Sequence, residues 1–313
     1  LEFIISITKT AHLHPSLKTL PFVAIDLETT GIPPAYAHII EWAAIRFRFD
    51  GDQEALSSLV RTQQEIPQEV QKLTGIQKQD IEKAPELEEI WPRFSKHLEG
   101  SILIAHNAPF DLSFLVYNAL RKNLIIPDQL CIDTLRLARK VFPQRNRYRI
   151  SDFRDESITK NLANKISGQD QHRALTDAQI CRAIFEKCIE KLEIQTTEKL
   201  LETLENIPGA LLQCSDLNPL ELEIPKELRP IIEAMKHGRS IYTKYKPKEK
   251  IRHIVPCYFY RLEKTAEISI WLKAFCLSDR RYKDYEISKL QPVRDAAYDE
   301  STVFWTEIVK HIS

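Results

Sequence analysis

The 313-residue chain has no apolar run near the roughly 20 residues that a membrane-crossing helix needs, and its opening LEFIISITKT is too short and too often broken by polar residues for a secretory leader. A cytoplasmic protein without a membrane partner is the expectation. Cys-x-x-Cys pairs are also missing: Cys131, Cys181, Cys188, Cys214, Cys257 and Cys276 are scattered through apolar contexts. That spacing speaks against zinc sites and a disulfide framework and leaves buried free thiols. Internal repeats and low-complexity tracts are absent. Net charge is zero, with 44 Lys plus Arg against 44 Asp plus Glu, so no global field draws a polyanion. The distribution is uneven, however. From Lys226 onward there are 18 basic against 12 acidic residues, leaving 26 against 32 in residues 1–225, so a basic final part follows an acidic body suited to collecting divalent cations.

What is present is enough for two ordinary cores, with 43% hydrophobic residues. Residues 1–19, including His12 and His14, read as an N-terminal extension without an assigned role. PFVAIDL (21–27) is a short apolar run bounded by Pro21 and the Thr29-Thr30-Gly31 turn, the pattern of a buried strand. IIEWAAIRFRF (39–49) and ALSSLVR (55–61) flank Asp50-Gly51-Asp52, a hairpin signal. A helical stretch from Pro67 to Leu98 is interrupted at Gly75 and Pro85, and SILIAH (101–106) reads as a second apolar strand. Residues 110–120 have helical spacing, CIDTL (131–135) runs from strand into a helix ending near Pro143, and a last helix covers about 175–192. Strands alternating with helices after an antiparallel start predict a mixed α/β sheet covered by helices. Residues 193–225, with Pro208-Gly209, Pro219 and Pro225, read as a connector made of a helix and a linker. Beyond it come one helix (226–237) and β-rich segments at 239–245, 251–260, 267–277 and 284–290.

Asp26 and Glu28 are two residues apart, so both leave the same face at the end of the first strand. Two such carboxylates repel each other and need a cation, a shared proton or solvent; a solvated strand end is the plain alternative. Asp111 opens the helix after SILIAH, and Asp177 stands in the first turn of the last helix on the face of Ile180 and Ile184. Each alone could be a first-turn acid favoured by the helix dipole. His172 lies in the loop before Asp177. Together the four acids sit at the ends of elements that pack into one sheet, and four oxygen donors suit Mg²⁺ or Mn²⁺. Two such ions can flank a phosphodiester, with a histidine free to accept the proton of the attacking water.

FVAIDLETTG (22–31), LIAHNAPFDLSFL (103–115) and HRALTDAQICRAIF (172–185) resemble, in order, the three motifs of the DEDDh exonuclease superfamily, which includes the proofreading subunit of bacterial DNA polymerase III. IPQEVQKLTGIQKQDIEKAP (66–85) and CIDTLRLARKVFP (131–143) resemble the stretches before and after the second motif. The resemblance implies an RNase H-like mixed sheet over residues 20–192, with Asp26, Glu28, Asp111 and Asp177 as ligands of two ions and His172 as general base. It also implies that Thr29 and Thr30 approach the terminal nucleotide while His106, Asn107 and Phe110 line its pocket, although Phe110 reads equally as a core aromatic. Between Pro143 and His172 the chain is more polar than the family pattern. There Arg145, Arg147, Tyr148 and Arg149 read either as contacts to phosphates and a base or as a solvated basic loop.

The final part, in IIEAMKHGRSIYTKYKP (231–247), IRHIVPCYFYRLEK (251–264) and ISIWLKAFCLSDRRYKDYEISKLQPV (268–293), resembles a WYL domain, a small SH3/Sm-like β-barrel. The namesake triplet is altered to Ile270-Trp271-Leu272. The resemblance implies binding of nucleic acid or a nucleotide over residues 226–313, with Tyr245, Arg252, Arg280 and Arg281 as the residues in position for it. Seven Lys or Arg against one Glu between Lys236 and Arg252 suit that role, or equally the protection of a barrel edge. No helix-turn-helix precedes this part, which removes the main support for a transcription factor. The expectation is a metal-dependent 3′-to-5′ exonuclease acting on single-stranded DNA or RNA, with a C-terminal domain that captures substrate or a regulatory nucleotide. Degradation of short or cyclic oligonucleotide signals and non-catalytic sensing of nucleic acid are the alternatives, and a homodimer is expected.

Overall fold

The computed structural model describes residues 16–51, 53–153, 173–247, 250–264 and 267–293. Most of the 1–19 extension, His172 and residues 294–313 lie outside the described residues.

The chain begins with β1 (Phe22–Thr29), β2 (Ile39–Phe47) and β3 (Gln53–Leu59), an antiparallel set joined through the Asp50-Gly51 turn. Helices α1 (Gln68–Thr74), α2 (Lys78–Ile81) and α3 (Leu87–Leu98) follow, α1 ending at left-handed Gly75 (φ 73°), where a residue without Cβ is unstrained. Next come β4 (Ile102–Ala105), α4 (Ala108–Lys122), β5 (Cys131–Asp133), α5 (Thr134–Val141), α6 (Ala174–Lys191), α7 (Thr197–Glu205) and β6 (Leu211–Leu212). The sheet order is β3-β2-β1-β4-β5-β6, with β1, β4 and β5 parallel. Interior strand β1 is apolar on both faces, so each face has its own core. Val23, Ile25 and Leu27 pack with α3 and α4, while Phe22 and Ala24 pack with α6. The mixed sheet read from the sequence is therefore present. The 193–225 stretch does more than connect, because β6 pairs with β5 as a sixth strand. All six cysteines are buried free thiols. Among the described residues no helix is long and apolar enough to cross a membrane.

After a turn at Cys214–Leu217 and α8 (Arg229–Lys236), five strands form a second, antiparallel sheet: β7 (Ile241–Tyr245), β8 (Lys250–Lys264), β9 (Glu267–Cys276), β10 (Arg281–Glu286) and β11 (Leu290–Pro292), in the order β10-β9-β8-β7-β11. The single strand expected at 284–290 is two strands parted by a turn at Ile287–Lys289. That turn carries the chain from the β9 edge of the sheet to its β7 edge, a crossing that no straight strand can make.

This sheet is apolar on both faces. Leu272, Ala274, Cys276, Ile254 and Phe259 pack with Ile231, Ala234 and Met235 of α8. Val255, Cys257, Tyr258 and Phe275 instead join the core that holds Val23, Leu112 and Phe114 of the first sheet. A β-bulge between Pro256 and Tyr258 shifts the register of β8 against β9, so Cys257 and Tyr258 both reach the shared core instead of alternating. The two sheets also meet at Gly238 (φ 62°), where an added Cβ would lie 2.8 Å from Cδ1 of Tyr36. Gly238→Ala combines a left-handed backbone with that collision and is expected to cost about 1–3 kcal/mol. A fall in the urea midpoint with unchanged slope would show it.

Candidate active site

Asp26 and Glu28 continue along β1 the row begun by Phe22 and Ala24, which places them on the α6 side of the sheet. They lie beyond the last residues of β1 that pair with β4, at the carboxyl end of the parallel strands, where open α/β sheets form their crevices. Asp177, in the first turn of α6, comes to meet them: one carboxylate oxygen from each of Asp26, Glu28 and Asp177 lies within 4.8 Å of the other two. Asp111 stands in the first turn of α4, 2% exposed, and its Oδ1 has no hydrogen-bond partner. A buried carboxylate oxygen without a donor is expensive unless something positive binds it.

The electrostatics agree. Burial pushes the Asp26 carboxyl well above the usual carboxylate range, and Asp177, Asp111, Glu28 and Glu41 add to the effect. Glu28 is raised by burial and then by Asp177, Glu41 and Asp111, against a lowering by Arg173. Asp111 is raised chiefly by burial, with Asp133 contributing and backbone donors opposing. Mutual repulsion in a crevice, all from oxygen donors, fits a hard divalent cation and leaves the metal-free site strained.

Two acids that sequence reasoning missed build this arrangement. Glu41 faces Glu28 across the β1–β2 pairing and is 4% exposed. It accepts from Arg173 Nε (3.1 and 3.0 Å), Arg173 Nη2 (2.6 Å) and the Ala174 amide (3.0 Å), anchoring the start of α6. Its signal was the one acid inside IIEWAAIRF, whose other residues are almost all buried. Asp133, at the end of β5, accepts from the amides of Asn107 (3.1 Å), Leu135 (2.9 Å) and Arg136 (3.4 Å). It thereby caps α5 and holds left-handed Asn107 (φ 68°), the residue from which α4 starts and so presents Asp111. Burial pushes the Asp133 carboxyl up to about 6, against the lowering by Arg136 and its three amide donors.

The carboxylates open into a cavity of about 670 Å³. His106, Asn107 and Phe110 line it. The ring nitrogens of His106 are already engaged, Nδ1 with Thr134 Oγ1 (2.9 Å) and Nε2 with the Tyr148 carbonyl (2.5 Å). Burial first, then Arg139, lowers the His106 imidazole to about 4, so it is neutral at pH 7 and bolts the Tyr148 loop to β4. Arg147, Tyr148 and Arg149 of that loop also line the cavity, whereas Arg145 lies over the Phe153 ring at 4.0 Å and donates to the Asp152 carbonyl. Thr29 and Thr30 are not on the described lining. Thr29 Oγ1 donates to the Gly31 carbonyl (3.0 Å), and Thr30 Oγ1 bonds Gln64 and accepts from the His38 amide (2.9 Å).

The four nominated residues of the second sheet are elsewhere. Tyr245 packs edge-on against Tyr285 (5.2 Å), Arg252 is paired with Asp279 (2.9 Å), Arg280 is left-handed (φ 47°) in the β9–β10 turn, and exposed Arg281 opens β10. Arg252, Arg280 and Arg281 thus gather at one end of the sheet, and none of the four is among the described residues lining the carboxylate cavity.

A family model described as exonuclease matches residues 23–185. The chain is 33% identical over 172 residues to the PolC-type DNA polymerase III of Caldanaerobacter subterraneus subsp. tengcongensis, covering 55% of this chain and 12% of that protein. It is 32% identical over 172 residues to the 3′-5′ exonuclease DinG of Bacillus subtilis, covering 55% of this chain and 18% of DinG. With DNA polymerase III subunit epsilon of Aquifex aeolicus it shares 33% identity over 186 residues, 59% of this chain and 88% of the other. The chain therefore spans only a small part of the first two relatives. The family match ends before the second sheet begins.

Proposed function

Because the chain belongs to the exonuclease family, we propose that it removes nucleoside monophosphates from the 3′ end of single-stranded DNA or RNA. The meeting of Asp26, Glu28 and Asp177 within 4.8 Å, beside the unpartnered buried oxygen of Asp111, carries this reading. These four would hold two Mg²⁺ or Mn²⁺ ions. When bound, such ions polarise the scissile phosphate and stabilise the departing 3′ oxygen. His172, one residue before the anchored Arg173, accepts the proton of the attacking water. Asn107 and Phe110 flank the terminal nucleotide and His106 shapes the wall beside it, while Thr29 and Thr30, off the described lining, brace the turn after β1.

In the same reading residues 20–192 are the exonuclease domain, 193–225 the connector and 226–313 a WYL-like domain with an SH3/Sm-like barrel. The five-strand order, in which the last strand returns to pair with the first, supports the barrel. The gathering of Arg252, Arg280 and Arg281 supports capture there of substrate or a regulatory nucleotide. The test is digestion of 5′-labelled single-stranded DNA, single-stranded RNA and a cyclic oligoadenylate with Mn²⁺, beside Asp26→Ala. The expected result is a ladder shortening from the 3′ end of a linear strand and absent in the variant. Cleavage of the cyclic substrate alone would replace the reading with signal degradation, and cleavage of nothing would leave a sensor.

A further inference from the structure

The carboxylate cavity has a wall that the exonuclease domain does not supply. Cys257 and Tyr258 of β8, Lys273 of β9 and Tyr282 of β10 line it together with Arg139, Arg147 and Arg149. The β8 bulge is what presents Tyr258 there, since regular alternation would turn it into the core beneath α8. Lys273 is the cation of this wall. Its ammonium donates to Asp284 Oδ1 (3.0 Å) and Oδ2 (3.1 Å), and Asp284 also accepts from the Tyr260 hydroxyl (3.0 Å). An ammonium has three donors, so a head held by one carboxylate keeps capacity for another acceptor. Cations from both halves of the chain therefore share one cavity lining with the four carboxylates.

We propose that Lys273 and Tyr258 form a recognition wall for the strand being degraded, Lys273 taking a backbone phosphate and Tyr258 flanking the neighbouring base. The substrate class that follows is an unpaired strand end, threaded between the two sheets. A base-paired end would need to place a second strand where Tyr258 and Lys273 stand. Arg252, Arg280 and Arg281 do not take part in this wall. The inference rests on the exonuclease reading for its location, and its test does not depend on hydrolysis.

The test is fluorescence anisotropy of a labelled single-stranded oligonucleotide and of the blunt duplex of the same sequence, with Ca²⁺ present, on the full chain. Lys273→Gln is expected to weaken single-strand binding about tenfold. It should also lower the slope of log affinity against log salt by about 0.7, the share of one phosphate on a single strand. Asp284→Asn removes a negative charge from the wall without shortening the side chain and should tighten binding. Lys199→Gln, on the exposed face of α7 and paired with Glu202, should bind as the unaltered chain does. Wild-type affinity and salt slope in Lys273→Gln would overturn the proposal, and so would a duplex bound as tightly as the single strand. Binding that depends on Lys273 without hydrolysis of any strand would overturn the exonuclease reading and uphold the wall.

Discussion

Asparagine at position 26 is expected to raise the melting temperature of the metal-free protein while lowering its hydrolytic rate by about three to five orders of magnitude. The two effects have one cause. Asp26 lies within reach of Glu28, Asp177, Asp111 and Glu41, and its buried charge is opposed by all of them. Removing it relieves repulsion in the folded state and, on the proposed reading, takes away a ligand of the divalent cations. Each kcal/mol relieved should appear as about 2–4 °C in thermal unfolding. Mn²⁺ should stabilise the unaltered chain and do little for the variant. The pH dependence has a definite sign. With folded pKa values raised, the metal-free chain holds protons that the unfolded chain has lost, so its stability falls as pH rises from the ordinary carboxylate range through those raised values. Asp26→Asn should flatten that decline in urea midpoints taken between about pH 4 and about pH 8. A variant that melts lower than the parent without metal would overturn the strained-site account.

Phe275→Ala is expected to cost about 3–5 kcal/mol and to unfold both sheets in a single transition. Phe275 is fully buried in the core that also holds Leu112 and Phe114 of α4, and it packs edge-on against Tyr282 at 5.2 Å. Two domains joined by a loose connector would melt separately, and damage to the second would spare the first. A shared core predicts that calorimetry gives one peak and that the proposed exonuclease activity is lost along with it. Two resolved peaks, with only the upper or the lower one moved, would refute the shared core.

The four carboxylates were legible because each stands at an element end that turn residues and apolar runs mark: Asp26 and Glu28 before Thr29-Thr30-Gly31, Asp111 after SILIAH, Asp177 at the start of a helix. The mixed sheet followed from the same punctuation. Glu41 was less visible, because a charge in an apolar strand is interpretable only once its partner is known, and Arg173 lies far along the chain. Lys273 was hidden by a different mechanism. Which face of β9 it occupies depends on how β8 packs, and the bulge that re-aims Tyr258 leaves no mark in the period of VPCYFY. The basic cluster at Arg280 and Arg281 attracted attention by composition, whereas the cation of the second sheet that reaches the cavity is a single lysine between Leu272 and Ala274 of β9.

A sheet with two apolar faces also constrains engineering. Val255, Cys257, Tyr258 and Phe275 stand where solvent would otherwise cover α4, so the two halves are not separable without exposing apolar surface. Cutting the exonuclease part free would uncover Phe114 and its neighbours as a sticky patch. Anyone wishing to transplant the exonuclease-family part must therefore carry both halves or repaint the seam with polar residues.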